Sequence, residues 1–184
     1  MPLMLYAANL AETGAGSRYG NGMLIRTTME VDATAVSRLL GESWRRTYSP
    51  VLGPEKTVSI SSQYHAPERI CGDLSDASKK SWVVERPDGS LARYAMCEID
   101  DAGQVIVDRL HIEQAEYGNG LAASIMQVIV DAYVGKPEIR LEVLEGNDRA
   151  MAFYRKHGFE GVERRAASHG ASGFSSFIMS RPLP

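Results

Sequence analysis

The stretch Asn147-Asp148-Arg149-Ala150-Met151-Ala152-Phe153-Tyr154-Arg155-Lys156-His157-Gly158-Phe159 reads as one short helix with both ends written into it. Asn147 is of the type that caps a helix by accepting a first-turn N–H. Gly158 suits the left-handed residue that ends one, with Phe159 folding back as its apolar partner. Asn147 and Tyr154 lie nearly two turns apart, so an amide and a phenol project from one side of the helix. A cap plus a core tyrosine would account for this stretch equally well. Its neighbours have to decide.

Upstream stands Glu116-Tyr117-Gly118-Asn119-Gly120-Leu121-Ala122-Ala123, a glycine-rich turn that opens a second helix. Ile125, Met126, Ile129 and Tyr133 form the broad apolar face of that helix. Glycines let a backbone curl close to a ligand, and the N–H groups of a first helical turn favour phosphate or pyrophosphate. A Walker A loop would need Lys-Ser/Thr where Leu121-Ala122 stands. Gly118, Gly120 and Ala123 formally match the dinucleotide fingerprint GxGxxG/A. In that motif, however, the strand runs straight into the first glycine, whereas Glu113 to Tyr117 intervene here and the preceding strands read as hairpins.

Outward from these two stretches, the chain alternates helical and strand patterns. Met23-Leu24-Ile25-Arg26-Thr27 is strand-like. Asp32 is placed to cap a helix whose apolar positions are Val36, Leu39, Leu40, Trp44 and Tyr48. Ser49-Pro50 and Gly53-Pro54 are expected to break it, and a second helical region follows over about 55–76, with Pro67 suited to restart a helix. Strands are expected over 81–85, 91–99 and 104–112, joined by turns at Asp88-Gly89 and Asp101-Ala102-Gly103 into an antiparallel meander. After the helix over about 120–133 come a strand over 138–143, the Asn147 helix, and strands near 159–167 and 173–180.

Together the two motifs resemble those of the GNAT superfamily of acyl-CoA-dependent N-acetyltransferases. The family's pyrophosphate loop reads Gln/Arg-x-x-Gly-x-Gly/Ala. Tyr117-Gly118-Asn119-Gly120-Leu121-Ala122 occupies that place, with Tyr117 where Gln or Arg is usual. Its later helix reads Asn-x-x-Ala-x-x-Phe/Leu-Tyr-x-x-x-Gly-Phe, matched by Asn147, Ala150, Phe153, Tyr154, Gly158 and Phe159. The likeness extends from about Met23 to Met179 in order of elements and is most specific over Val105 to Phe159.

The resemblance implies an α+β fold: a mixed, mostly antiparallel sheet splayed between two strands, flanked by about four helices. Acetyl-CoA would lie in the gap as a cosubstrate. Its pantetheine arm would add like a strand to Leu110, His111 and Ile112, and its pyrophosphate would rest on the amides of Tyr117, Gly118, Asn119, Gly120, Leu121 and Ala122. Asn147 and Tyr154 would contact the arm. A backbone N–H near Ile112 would polarise the thioester carbonyl, and Tyr154 would be the general acid for the leaving thiolate. Ile106 stands where the family often has a Glu. Asp108 and Glu98 are therefore the candidate bases, with His111 a poor third because its strand parity differs. The acceptor site would be built from the first two helices and the last hairpin, where Trp44, Arg45 and Tyr48 lie on or near an inner face. His65 and His169 read as isolated, and no metal is expected.

Composition bounds the rest. Hydrophobic residues make up 44% and charged residues 23%, the usage of an ordinary globular domain. A net charge of -3 gives no electrostatic reason to expect nucleic acid or a membrane surface as partner. No apolar run reaches the roughly 18 residues of a membrane span. Cys71 and Cys97 have no CxxC spacing, which fits a reducing cytoplasm. Residues 1–22, rich in Gly, Ser, Thr and Ala towards their end, are expected to be peripheral to a domain spanning 23–184. A small-molecule, peptide or protein amine would be the acceptor, and a homodimer is compatible with the fold. A non-catalytic acyl-CoA-binding sensor and a dinucleotide-binding fragment stay open as alternatives.

Overall fold

The computed structural model describes residues 17–18, 22–112, 120–168 and 173–184. Its centre is one eight-stranded sheet: β1 (Ser17–Arg18), β2 (Leu24–Thr27), β3 (Lys79–Glu85), β4 (Leu91–Ile99), β5 (Val105–Ile112), β6 (Glu138–Leu144), β7 (Glu160–Ala166) and β8 (Ser175–Pro182). The spatial order is β1-β2-β3-β4-β5-β6-β8-β7. Every neighbouring pair is antiparallel except β5 and β6, which run parallel. This is the mixed, mostly antiparallel sheet expected.

Among the described residues five α-helices flank it: α1 (Ala33–Leu52), α2 (Pro54–Tyr64), α3 (Pro67–Leu74), α4 (Leu121–Ala132) and α5 (Asp148–Lys156). One more helix is present than anticipated because the region over 55–76 is two helices, separated at His65 and Ala66. The residue before a proline is pushed out of the helical region, and Ala66, at ψ 143, is so placed before Pro67. Pro50, by contrast, does not break α1. It sits in the last turn, where it removes a single ladder bond, and the helix runs on to Leu52 before Gly53 turns out at φ 81.

Asp32 also differs from its expected role. It precedes α1 but makes no side-chain cap there. Its carboxylate takes both forks of Arg26 at 2.7 and 2.8 Å and the Met29 N–H at 2.8 Å. A bidentate guanidinium is a stronger partner than one orphan amide, so Asp32 serves the β2–α1 corner. Burial pushes its carboxyl pKa up, but the Arg26 and Met29 hydrogen bonds outweigh that and hold it below the usual range.

Two cores lie on opposite faces of the sheet. One face packs Val36, Leu39 and Leu40 of α1 and Ile70 of α3 on Val83, Tyr94 and Met96. The other packs Ile125, Met126, Ile129 and Tyr133, the apolar face read from sequence, on Ala95, Cys97, Val105, Val107 and Leu141. Cys97 is wholly buried there, as its apolar context implies. A third cluster joins Leu52, Ile60 and Leu144 with the partly buried Trp44, Tyr48, Tyr64 and Phe174. Trp44, Tyr48, Ile60, Tyr64 and Leu144 of this cluster also line the cleft where the sheet parts.

The gap has an identifiable cause. The β5–β6 ladder holds Val105↔Ile139, Ile106↔Arg140 and Val107↔Leu141. On the other side of β5, Met96 pairs with Arg109 and Cys97 with Val107, so Asp108 is an extra residue in the strand. Such a bulge bends and twists the strand that carries it. The β6 ladder ends at Val107, immediately before the bulge, and both strands continue apart.

Candidate functional site

The parted strands enclose a cleft of about 850 Å³. Tyr154, Asp108, Glu98, Leu110, His111, Gly120, Ala122 and Asn147, all singled out from sequence, line this one cavity. Leu121 instead turns its side chain into the core under α4. Ile112 pairs through its backbone with Arg93. Tyr117, Gly118, Asn119 and His169 lie outside the described residues.

Gly120 introduces α4 with φ 81 and ψ -12, the left-handed region that favours glycine. Its carbonyl accepts the N–H groups of Ala123 at 3.0 Å and Ser124 at 3.2 Å. On the opposite wall, Asn147 does cap α5: its Oδ1 accepts the Ala150 N–H at 3.3 Å. The Asn147 side chain also neighbours the phenol of Tyr48 on α1. Tyr154 is 9% exposed, its ring held edge-on between Phe153 at 5.3 Å and Phe159 at 5.5 Å. Burial, then the neighbouring Tyr48 and Cys97, push its phenol well above the ordinary value near 10. The phenol therefore stays protonated through the neutral range, and the gap between it and a thiol near 8.5 is wider than free groups imply.

The two carboxylates differ. Asp108 is 3.3 Å from Arg109 Nε. Glu98 sits on β4 with Lys79 Nζ 3.9 Å away. Another cleft carboxylate went unnoticed in the sequence: Glu142 accepts from Ser168 N at 2.9 Å, Ser168 Oγ at 2.8 Å and Arg165 at 2.9 Å. Burial pushes its pKa up, yet the nearby Ser176 hydroxyl, then the Ser168 and Arg165 bonds, bring it down to about 2.

Two expectations about histidine are overturned. The bulge at Asp108 resets the alternation of β5. Val105 and Val107 pack into the α4 core, and so does Leu110, three residues on. His111 is thereby turned to the α1 side, where its Nδ1 is 3.2 Å from Ser43 Oγ. Strand parity no longer separates it from the site. Nor is His65 isolated: it terminates α2 with Nδ1 2.9 Å from Ser61 Oγ, and its ring centroid lies 5.9 Å from that of His111. Trp44 spans the two at 5.4 and 6.3 Å and meets Tyr48 at 4.2 Å with the rings tilted by 54°. Arg45 is exposed, and the inward residue of that turn is Ser43. Ser43 stands four and three residues after the buried Leu39 and Leu40, and His65 four after Ser61, spacings that put these groups on inner helix faces.

Burial, then Arg109 and Arg46, bring His111 down to about 4. Burial, then His111 and Arg109, bring His65 down to about 3. Imidazoles near 6.5 in the unfolded chain bind protons more readily there than in the folded one. Their contribution to stability is complete above about pH 6.5 and is lost as pH falls from there towards 4 and 3. Each contributes at most about 1.4 kcal/mol per pH unit. The melting temperature is expected to fall between pH 7 and pH 5, and His65→Gln is expected to flatten that fall. An equally steep fall in the variant would remove His65 as a cause.

Among the described residues, no group of three or more His, Cys, Asp or Glu side chains could hold a metal ion. No helix among them is long and apolar enough to cross a membrane.

Residues 38–159 match the model of the Acetyltransferase (GNAT) family. The chain is 26% identical over 154 residues to a Mycobacterium bovis protein described as an uncharacterized N-acetyltransferase, covering 83% of this chain and 98% of that one. Among solved structures it is similar to the PaiA N-acetyltransferase of Thermoplasma acidophilum, crystallised in complex with coenzyme A. The TM-score is 0.72 at 19% identity, over 87% of this chain and 98% of that one. It is also similar to the ribosomal-protein-S18-alanine N-acetyltransferase of Escherichia coli, with a TM-score of 0.65 at 15% identity over 88% and 94% of the two chains. At these identities the structural likenesses establish the shared fold.

Proposed function

The chain belongs to the acetyltransferase (GNAT) family, and from that premise we propose that it transfers an acetyl group from acetyl-CoA to a primary amine by direct attack, with Tyr154 as general acid. The observation that carries this reading is the β5–β6 ladder ending at Val107↔Leu141 while both strands run on. An open strand edge beside a cavity is what a pantetheine arm needs in order to pair as an added strand. Leu110, His111 and Ile112 would offer that edge, and Asn147, whose Oδ1 is occupied by its cap, would offer its amide hydrogens. The amides around Gly120 to Ala122 would hold the pyrophosphate.

Asp108, engaged by Arg109, and Glu98, 3.9 Å from Lys79 Nζ, would carry the proton released by the reaction away, directly or through water. The acceptor would enter from the side of Trp44 and Tyr48, as a small amine or as an amine of a peptide or protein. The two free cysteines, with Cys97 in the core, support a reducing cytoplasm as its compartment. A homodimer would suit the usual closed symmetry.

Calorimetry with acetyl-CoA, NAD and ATP, followed by thiol release with a panel of amines, tests the reading. Binding of acetyl-CoA alone among the three, with amine-dependent thiol release, is expected. Binding without release for any amine would leave a sensor module. A second expectation concerns Gly120. The space around its missing Cβ is open, so Gly120→Ala meets only the backbone cost of φ 81, about 1–2 kcal/mol. If the turn relaxes to avoid that cost, the dissociation constant for acetyl-CoA should rise roughly tenfold with little change in melting temperature. An unchanged constant would detach Gly120 from the cosubstrate.

A further inference from the structure

Two imidazoles meet at the inner end of the cleft, each tied by one ring nitrogen to a helix serine. His111 Nδ1 lies 3.2 Å from Ser43 Oγ, His65 Nδ1 lies 2.9 Å from Ser61 Oγ, and both residues line the cavity. With Nδ1 engaged, Nε2 is the nitrogen each ring has left to offer. His111 also occupies the free end of β5, beside the backbone proposed to receive the thioester. We infer that His111 is a catalytic residue of this chain, the group that takes the proton from the acceptor nitrogen, with Ser43 positioning its ring and His65 packed against it. The inference rests on the acetyl-transfer reading given above.

The step balances as follows. The amine lone pair forms the C–N bond to the thioester carbonyl, whose π pair moves to oxygen. The nitrogen's proton passes to His111 Nε2, which requires the tautomer whose Nδ1–H donates to Ser43 Oγ. The oxyanion pair then restores the carbonyl, the C–S bond breaks with its electrons on sulfur, and the thiolate takes the phenolic proton of Tyr154. His111 and Tyr154 return to their starting states by exchange with solvent.

The surroundings fix when this can happen. Arg46 of α1, His65 at the end of α2 and Arg109 of β5 act on the ring, and Tyr94 of β4 is its cross-strand register partner. Burial and the two arginines named for it keep His111 neutral above about pH 4. So weak a base does not strip a free ammonium ion. It accepts a proton only after nitrogen has bonded to the carbonyl carbon, when that nitrogen is far more acidic. The amine must therefore arrive neutral, and kcat/KM should rise with pH up to the pKa of the amine.

The test uses the full chain and the best amine of the panel. His111→Gln and His111→Ala should each lower kcat about a hundredfold, with the acetyl-CoA dissociation constant changed less than twofold. Added imidazole should restore part of the activity of His111→Ala and none of that of the wild type. Ser43→Ala should lower kcat several-fold. Nitrogen-15 NMR of the wild-type chain should show His111 neutral with its hydrogen on Nδ1, a readout that needs no variant to fold. Active wild type with the His111 variants within threefold of it, no rescue by imidazole, or the opposite tautomer would each overturn the inference. A wild type that releases no thiol with any amine would bring down the acetyl-transfer reading as well, which separates the two failures.

Discussion

Asp73→Ala is expected to lower the free energy of unfolding by about 3 kcal/mol, the loss typical of removing one partner from a buried ion pair. Asp73, on α3, has a side chain only 3% exposed and accepts from Lys79 Nζ and Arg109 Nη1, each at 2.7 Å. Arg109 is itself 7% exposed in its side chain, so the substitution leaves a buried guanidinium with Asp108 at 3.3 Å as its remaining carboxylate. Burial would raise the Asp73 pKa, but the hydrogen bonds from Lys79 and Arg109 hold it below its ordinary value. The folded chain thus releases this proton more readily than the unfolded chain. The stabilisation is present above about pH 4 and disappears as pH falls through the depressed pKa. Asp73→Asn, which keeps the shape without the charge, should fall between wild type and alanine. Urea unfolding at pH 7 checks the order, and a loss below 1 kcal/mol for Asp73→Ala would show that the cluster contributes little. The pair also ties α3 to β5 just beyond the bulge, so it holds the strand end on which the proposed chemistry depends.

Tyr154→Phe is expected to lower kcat by about two orders of magnitude, the size of a general-acid contribution, with the KM for acetyl-CoA nearly unchanged. The substitution removes one oxygen and keeps the ring between Phe153 and Phe159, so folding should not obscure the result. The raised phenol pKa adds a second expectation. Loss of activity on the alkaline side should not begin near pH 10, where a free phenol would ionise. Steady-state kinetics across pH decide both points. An unchanged kcat would take Tyr154 out of the mechanism whatever its position in the cleft.

The sequence was informative wherever structure depends on residues near one another in the chain. Asn147 capping α5 follows from a local hydrogen bond. Gly120 at φ 81 follows from the absence of a Cβ. The packing of Ile125, Met126 and Ile129 follows from helical periodicity, and the β3–β4 and β4–β5 hairpins from turns that close over a few residues. Those features identify the family, and the two motifs that carry it also supplied Gly120, Ala122, Asn147 and Tyr154 of the cleft lining.

Other features came into view only once distant segments had met. Asp32 is an ion-pair residue because Arg26 reaches it from β2. Ser43 faces His111 across 68 positions of sequence, and Asp73 faces Arg109 across 36. The extra residue at Asp108 is defined only against the register of β4, and it reverses the parity argument that set His111 aside. By itself the chain determined its hairpin turns, the helices Leu121–Ala132 and Asp148–Lys156, and its family, because each of these is specified by interactions spanning about one or two helical turns or a single hairpin. The tertiary structure alone decided where the sheet opens and which histidines share the opening, because register and side-chain encounters depend on how whole strands settle against one another.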